Sequence, residues 1–191
     1  MITLKEVGTK FVTSTKLPLV FIFMLWCVFL SNLILFGGSL NQYGVQPRVA
    51  SGIYGVLFSP FLHGNFAHII GNSIFFFLLS WIICFNSTKL WYKTLVYGTV
   101  LGGLFTWLFG TGGVHIGASG VVFALWGTII GMAINRKNPY FMIASVVLFL
   151  GYGMSFVWGL IPQDGISWAG HAGGLLSGLA CSKQVQYNNK N

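Results

Sequence analysis

Charged side chains are scarce in this sequence. Asp, Glu, Lys and Arg together make up 6% of its 191 residues, whereas a soluble domain carries about 25%. So few charges cannot form the water-facing surface of a chain of this length, which excludes an ordinary soluble protein. Hydrophobic residues make up 55% of the chain. We therefore expect lipid to be the solvent for most of its surface.

Acidic residues are almost missing, since two of them stand against ten basic residues and give a net charge of +8. In a soluble protein this balance would indicate a nucleic-acid or acidic partner. Here the basic residues lie at the edges of apolar segments, which is typical of topology signals and of contacts with anionic headgroups. We predict the lipid bilayer as a partner and no nucleic acid. These basic residues are Lys5, Lys10, Lys16, Lys89, Lys93, Arg136, Lys137, Lys183 and Lys190.

Cysteine is also rare, and Cys27, Cys84 and Cys181 form no CxxC pair. An odd number of scattered thiols within apolar segments fits neither a disulfide framework nor a zinc site. We interpret them as inert thiols and predict no cofactor and no metal.

Six long apolar segments approach the 17–25 residues that a transmembrane helix needs. The sequence therefore predicts an all-α, polytopic membrane protein whose six-helix domain covers 18–183, with a cytoplasmic N-terminal segment at 1–17 and a cytoplasmic tail at 184–191. The first segment is too long for the hydrophobic region of a signal peptide, so we expect it to be retained. The predicted spans are about 18–37, 67–85, 91–110, 117–134, 140–160 and 168–183.

The distribution of basic residues predicts the orientation of these spans. With a cytoplasmic N-terminus, nine of the ten basic residues of the chain fall on the inner side, and Arg48 alone lies outside, in the connection 38–66. The positive-inside rule then gives an N-in, C-in topology. This connection is apolar over 53–62, so we expect it to lie partly embedded at the outer interface.

Polar side chains inside a membrane are costly and each needs a reason. Spacing alone does not choose among the serines of the six spans. Ser119 differs in its setting, the Gly-Ala-Ser-Gly sequence of 117–120 at the outer start of the fourth span. Small neighbours let a peptide backbone approach the hydroxyl, and a helix N-terminus offers N–H groups to an oxyanion. The alternative is a helix-packing motif. The serines of the spans include Ser31, Ser73, Ser80, Ser119, Ser145, Ser155 and Ser177.

His171 is the candidate general base for that serine. It lies at the outer start of the sixth span, so the topology brings it to the same depth as Ser119. Gly170, Gly174 and Gly178 recur every fourth residue and would let a neighbouring helix pack closely. The alternative is an incidental interfacial histidine. No acidic residue lies within the spans, which excludes a Ser-His-Asp triad there and leaves a Ser/His dyad.

A third polar group lies at the outer start of the second span. His68 and Asn72 are one helical turn apart and His63 precedes them. Their side chains could complete an oxyanion hole with the backbone N–H of Ser119. A metal site is the rival interpretation, but the histidines lack the HExxH spacing and the nearby acid is Asp164 alone, so catalysis is favoured. The histidines, all on the outer side, are His63, His68, His115 and His171.

Taken together, these motifs resemble those of the rhomboid intramembrane serine proteases, over about residues 45–182. The resemblance rests on the GxSG sequence at 117–120, on the histidine-bearing last helix at 169–174, and on the pattern of His63, His68 and Asn72.

The resemblance implies an outward-opening, water-accessible cavity in a six-helix bundle. It implies that Ser119 attacks the peptide carbonyl, that His171 acts as general base and then acid, and that His68, Asn72 and the Ser119 N–H hold the oxyanion. It also implies single-pass transmembrane proteins as substrates, cut in or near their membrane helix, with the connection 38–66 and the fifth helix as structural loop and lateral gate. The supporting residues would be His63, Gly117, Gly120, Phe123 and Gly174.

The sequence departs from the family pattern at two positions. Phe123 stands where many bacterial members have a tyrosine packed on the catalytic histidine, so stacking is retained without the hydroxyl. Arg48 follows Pro47 instead of the Trp of the family's Trp-Arg pair, and we expect Arg48 still to anchor the outer connection.

The expected location is a bacterial inner membrane, with the active site facing the periplasm. Two other functions remain open at this point. One is a non-proteolytic rhomboid-like protein that binds membrane clients, although such relatives typically lack the serine or the histidine. The other is a small channel or transporter whose polar residues line an aqueous path. The sequence does not predict the oligomeric state.

Overall fold

The computed structural model describes residues 3–163 and 165–184, and over these residues the chain is helical without a β-strand. This agrees with the predicted all-α class. The helices are α1 Leu4–Leu35, α2 Gly55–Phe58, α3 Phe66–Asn86, α4 Thr88–Phe109, α5 Ser119–Arg136, α6 Pro139–Gly159 and α7 Trp168–Lys183.

The first helix begins well before the predicted span 18–37, so most of the predicted segment 1–17 is helical. Its start is set by Thr3, whose hydroxyl accepts from the N–H of Glu6 while the Glu6 carboxylate accepts from the N–H of Thr3. This reciprocal capping box stabilises the helix end because it gives hydrogen-bond acceptors to two backbone N–H groups that would otherwise be unpaired. With 32 residues, α1 is about 48 Å long, which exceeds the apolar thickness of a bilayer.

The other long helices follow the predicted spans to within a few residues at each end. Polar caps set several starts: Asn65 accepts from the N–H of His68, Ser87 caps α4, and Asn138 caps α6 next to Pro139. The connection 38–66 is not an extended loop, because it winds into α2 and three short 3-10 turns. Of the predicted tail 184–191, all but Gln184 lies outside the described residues.

Four helices, α1, α3, α5 and α6, are long and apolar enough to cross a membrane. The protein is therefore an integral membrane protein. The helix α7 is too short to meet these criteria, with 16 residues, and α4 is long enough but is not among the helices that are apolar enough. Both can span only if neighbouring helices surround them, so the count of six remains a prediction.

The centre of the bundle is the contact between α5 and α7. A Cβ atom on Gly178 would lie 2.0 Å from the carbonyl oxygen of Ala124, and one on Gly174 would lie 2.0 Å from that of Gly120. The glycine strip foreseen in the sequence thus brings the two backbones together, as small residues do in membrane helices. By contrast α6 leaves apolar side chains such as Leu150 and Met154 exposed, a surface suited to lipid.

Candidate active site

Ser119 and His171 meet at the end of the bundle where α5 and α7 begin. The Ser119 hydroxyl lies 2.9 Å from Nε2 of His171. Ser119 is the first residue of α5 and His171 lies in the first turn of α7. The close backbone approach at Gly174 fixes the distance between the two helices just below this pair.

The tautomer of His171 follows from its second contact. Nδ1 lies 2.6 Å from the carbonyl oxygen of Gly159, at the end of α6. A carbonyl only accepts, so Nδ1 carries the proton and Nε2 is left to accept from Ser119. The Gly159 carbonyl thus takes the orienting position that a carboxylate has in a triad.

Phe123, one turn after Ser119, stacks on the His171 ring. The ring centroids are 4.3 Å apart and the planes differ by 8°. A Cβ atom on Gly159 would lie 2.9 Å from the tip of the Phe123 ring, so this glycine leaves room for the stack. The stacking expected for this departure is present, and it holds the imidazole in one plane.

Gly117 lies against the side chains of His68 and Asn72. Its φ of +112° is a conformation that favours glycine. A Cβ atom there would lie 2.4 Å from Nε2 of His68 and 3.3 Å from Nδ2 of Asn72. Any side chain at this position would therefore fill the space beside Ser119 that both donors face. The structure brings His68 and Asn72 to the same site as Ser119.

His63 fixes the orientation of Asn72. Its ring is almost fully buried, with Nε2 3.1 Å from Nδ2 of Asn72 and Nδ1 3.4 Å from the carbonyl oxygen of Phe61. Burial lowers the pKa of His63 to about 4, and the nearby His68 adds to the effect. The neutral ring donates through Nδ1 and accepts one Asn72 N–H, which leaves the second N–H of that amide free for the site.

A chain of hydrogen bonds continues from the backbone carbonyl of His63 toward α1. The Asn41 amide donates to the carbonyl oxygen of His63 at 3.3 Å, and the amide of the buried Asn32 donates to Asn41 at 3.0 Å. Arg48 donates to the carbonyl oxygens of Leu108 and Gly110. The connection 38–66 is thus tied to both α1 and α4, and Arg48 anchors it as expected.

The side chains of His68, Asn72, Ser119 and His171 all line one cavity of about 670 Å³ at this end of the bundle. This volume lies within the range of about 300–1,000 Å³ that is common for ligand-binding pockets. The donors beside Gly117, the serine hydroxyl and the imidazole share one space, as acyl transfer to serine requires. The cavity is lined, among others, by His68, Asn72, Ser119 and His171.

Sequence reasoning missed a second serine–histidine contact in the same cavity. Nδ1 of His115 lies 2.7 Å from the Ser167 hydroxyl, and its Nε2 lies 2.9 Å from the carbonyl oxygen of Thr111. His115 was considered as a possible metal ligand, whereas Ser167 lies just outside the predicted spans and was not considered. The predicted topology puts both residues on the same side of the membrane, and this was the signal that could have found the contact.

The sequence of this chain is similar to a known protein family and to several known proteins. The family described as Rhomboid domain matches residues 50–186. Uncharacterized proteins of Mycobacterium bovis and Mycobacterium tuberculosis are each 30% identical over 185 residues, which is 91% of this chain and 75% of theirs. An uncharacterized protein of Mycobacterium leprae is 30% identical over 156 residues, 75% of this chain and 61% of its own.

Proposed function

Because this chain belongs to the rhomboid family of intramembrane proteases, we propose that it is a serine endopeptidase that cleaves single-pass transmembrane proteins in or near their membrane helix. One observation carries the proposal. The Ser119 hydroxyl lies 2.9 Å from Nε2 of His171, while Nδ1 of that ring is held by a backbone carbonyl. This is the geometry of an activated nucleophile and an oriented base.

Acylation would begin when Ser119 attacks the substrate carbonyl and Nε2 of His171 takes its proton. The N–H of Ser119 and the free N–H of Asn72 would donate to the oxyanion, with His68 as a further donor. Preorganised donors of this kind stabilise the charge that develops in the transition state. Nε2 then returns the proton to the leaving amine, and the acyl-enzyme forms.

Deacylation would repeat these steps with water as the nucleophile. His171 takes a proton from water as the water attacks the ester, and then returns one to Ser119. The imidazolium that forms in each half-reaction faces the Phe123 ring at 4.3 Å. An aromatic face stabilises a cation at this distance, so the departure from tyrosine is compatible with catalysis.

The orientation in the membrane is part of the proposal. The candidate site lies where α3, α5 and α7 begin, whereas basic residues lie at the opposite end of the bundle, in the last turns of α5 and α7. The positive-inside rule places that basic end in the cytoplasm. The active site would then face the periplasmic side of a bacterial inner membrane, with six spans and both termini inside.

The test is an activity-based label on the purified protein in detergent and in proteoliposomes. We expect a fluorophosphonate to form an adduct on Ser119 and the enzyme to cleave a single-span substrate. Ser119→Ala and His171→Ala should each lower cleavage by about ten-thousandfold or more. Ser155→Ala, an exposed serine of α6, is the matched control and should behave as the wild type. Labelling of Ser119 that persists undiminished in His171→Ala would refute the dyad.

A further inference from the structure

The contact between His115 and Ser167 joins two segments on either side of the candidate site. His115 lies between α4 and α5, and Ser167 immediately precedes α7. Both side chains are half-buried and line the same cavity as Ser119 and His171. The proposed reaction leaves this contact without a role.

The ring of His115 is fixed in one orientation and one tautomer. Its Nε2 lies 2.9 Å from the carbonyl oxygen of Thr111, so Nε2 carries the proton and Nδ1 accepts from the Ser167 hydroxyl at 2.7 Å. The backbone of His115 is fixed as well. It exchanges two hydrogen bonds with Val45 of the outer connection, at 2.8 and 2.9 Å. Ser167 therefore hydrogen-bonds to a histidine whose ring and backbone are both held in place.

Ser167 in turn sits one helical turn before the candidate general base. Its carbonyl oxygen accepts from the N–H of His171 at 3.0 Å. It occupies the N-cap position of α7, yet its hydroxyl makes no capping hydrogen bond to the helix. A serine at this position ordinarily caps its own helix. Here the hydroxyl is used instead to attach the start of the helix to His115.

The rest of the connection before α7 offers little to replace that attachment. In its described residues the other hydrogen bonds are local: Leu160 donates to Val157, Ile161 and Gln163 to Trp158, Ile166 to Gln163, and Trp168 to Ile166. The contact with His115 reaches across the site to the segment that leads into α5. It therefore links the start of the helix that carries His171 to the start of the helix that carries Ser119.

We propose that His115 and Ser167 are positioning residues, whose hydrogen bond holds the first turn of α7 at the distance from α5 that the Ser119–His171 contact requires. The inference rests on the proposed function, and neither residue touches the reacting atoms in it. Loss of the bond would let His171 sample positions away from Ser119. A misplacement near 1 Å costs about a hundredfold in rate, so a loosened turn should cost about tenfold to a hundredfold in kcat with little change in KM.

The experiment compares His115→Ala, Ser167→Ala, the double variant and Ser167→Thr. We expect the two single variants to lose kcat and fluorophosphonate labelling rate to a similar extent, and the double variant to lose no more than either. Ser167→Thr keeps the hydroxyl and should recover most of the rate. Ser177→Ala is the control, because that buried serine of the same helix bonds locally to the carbonyl oxygen of Gly174.

Two outcomes would overturn the proposal. Losses that multiply in the double variant would show that the residues act independently. An adduct located on Ser167 by mass spectrometry would make this serine a nucleophile in its own right, with His115 as its base.

A readout without turnover separates this inference from the proposed function. In the protein with ¹⁵N-labelled histidine, Ser167→Ala should change the ring signals of His171 as well as those of His115, while Ser177→Ala should change neither. If His171 is unmoved, the positioning role is wrong even in an active enzyme. If His171 moves but the wild type neither labels nor cleaves, the coupling stands and the protease proposal fails.

Discussion

The contact of α5 with α7 makes Gly178→Ala an informative perturbation, because Gly178 lies two turns below His171 and does not line the cavity. The added Cβ would lie 2.0 Å from the carbonyl oxygen of Ala124 and 2.7 Å from the backbone N of Thr128. Both neighbours are backbone atoms of α5 and cannot rotate away. The two helices must therefore move apart.

The size of that movement follows from the same distances. Ordinary van der Waals contact begins at 3.4 Å, so the contact at 2.0 Å requires the helices to separate by about 1.4 Å. Since about 1 Å of misplacement costs a hundredfold, we expect kcat/KM to fall by about a hundredfold or more. Overpacking should also lower the free energy of unfolding by about 1–3 kcal/mol.

The assay is cleavage of a single-span substrate in proteoliposomes, with thermal unfolding measured in parallel. Gly151→Ala is the matched control, since a Cβ on this glycine of α6 meets nothing within 4 Å. It should keep activity and stability. If Gly178→Ala cleaves at the rate of Gly151→Ala, the close approach of α5 and α7 does not set the geometry of the dyad and the reasoning is refuted.

Two further predictions concern the rings beside the dyad. Phe123→Leu removes the aromatic face from the imidazolium and should lower kcat by about threefold to thirtyfold. The control is Phe149→Leu on the exposed side of α6, which should keep the wild-type kcat. If the two variants cleave at equal rates, the stack of Phe123 on His171 has no role in catalysis. The pKa of His63 lies at about 4 in the folded protein and near 6.5 unfolded, so the unfolded state binds more protons between these values. Stability should therefore be complete above about pH 6.5 and fall by up to about 3 kcal/mol toward pH 4. His63→Gln should lose less on acidification in thermal melts, and an unchanged pH dependence would contradict the assignment.

Much of the architecture could be predicted because the bilayer limits the choices. Apolar length predicted α3, α5, α6 and α7 to within a few residues, and the membership of the rhomboid family is confirmed. The helix α1 extends further toward the N-terminus than the predicted span 18–37, because the capping box at Thr3 starts the helix among polar residues that apolar length does not predict. The catalytic roles of Ser119 and His171 stay predictions.

The sequence alone determined that this is an integral membrane protein, because the scarcity of charge and the long apolar runs can be read directly from the residues. It also predicted, from the order of the spans, that Ser119 and His171 lie at one depth. Only the tertiary structure decided which group orients each imidazole. Gly159 acts through its carbonyl, which every residue possesses, so no sequence signal marks it. The bond from Ser167 to His115 spans 52 positions and depends on how two segments pack. Such contacts depend on how closely the helices pack in three dimensions, which the order of residues constrains but does not specify.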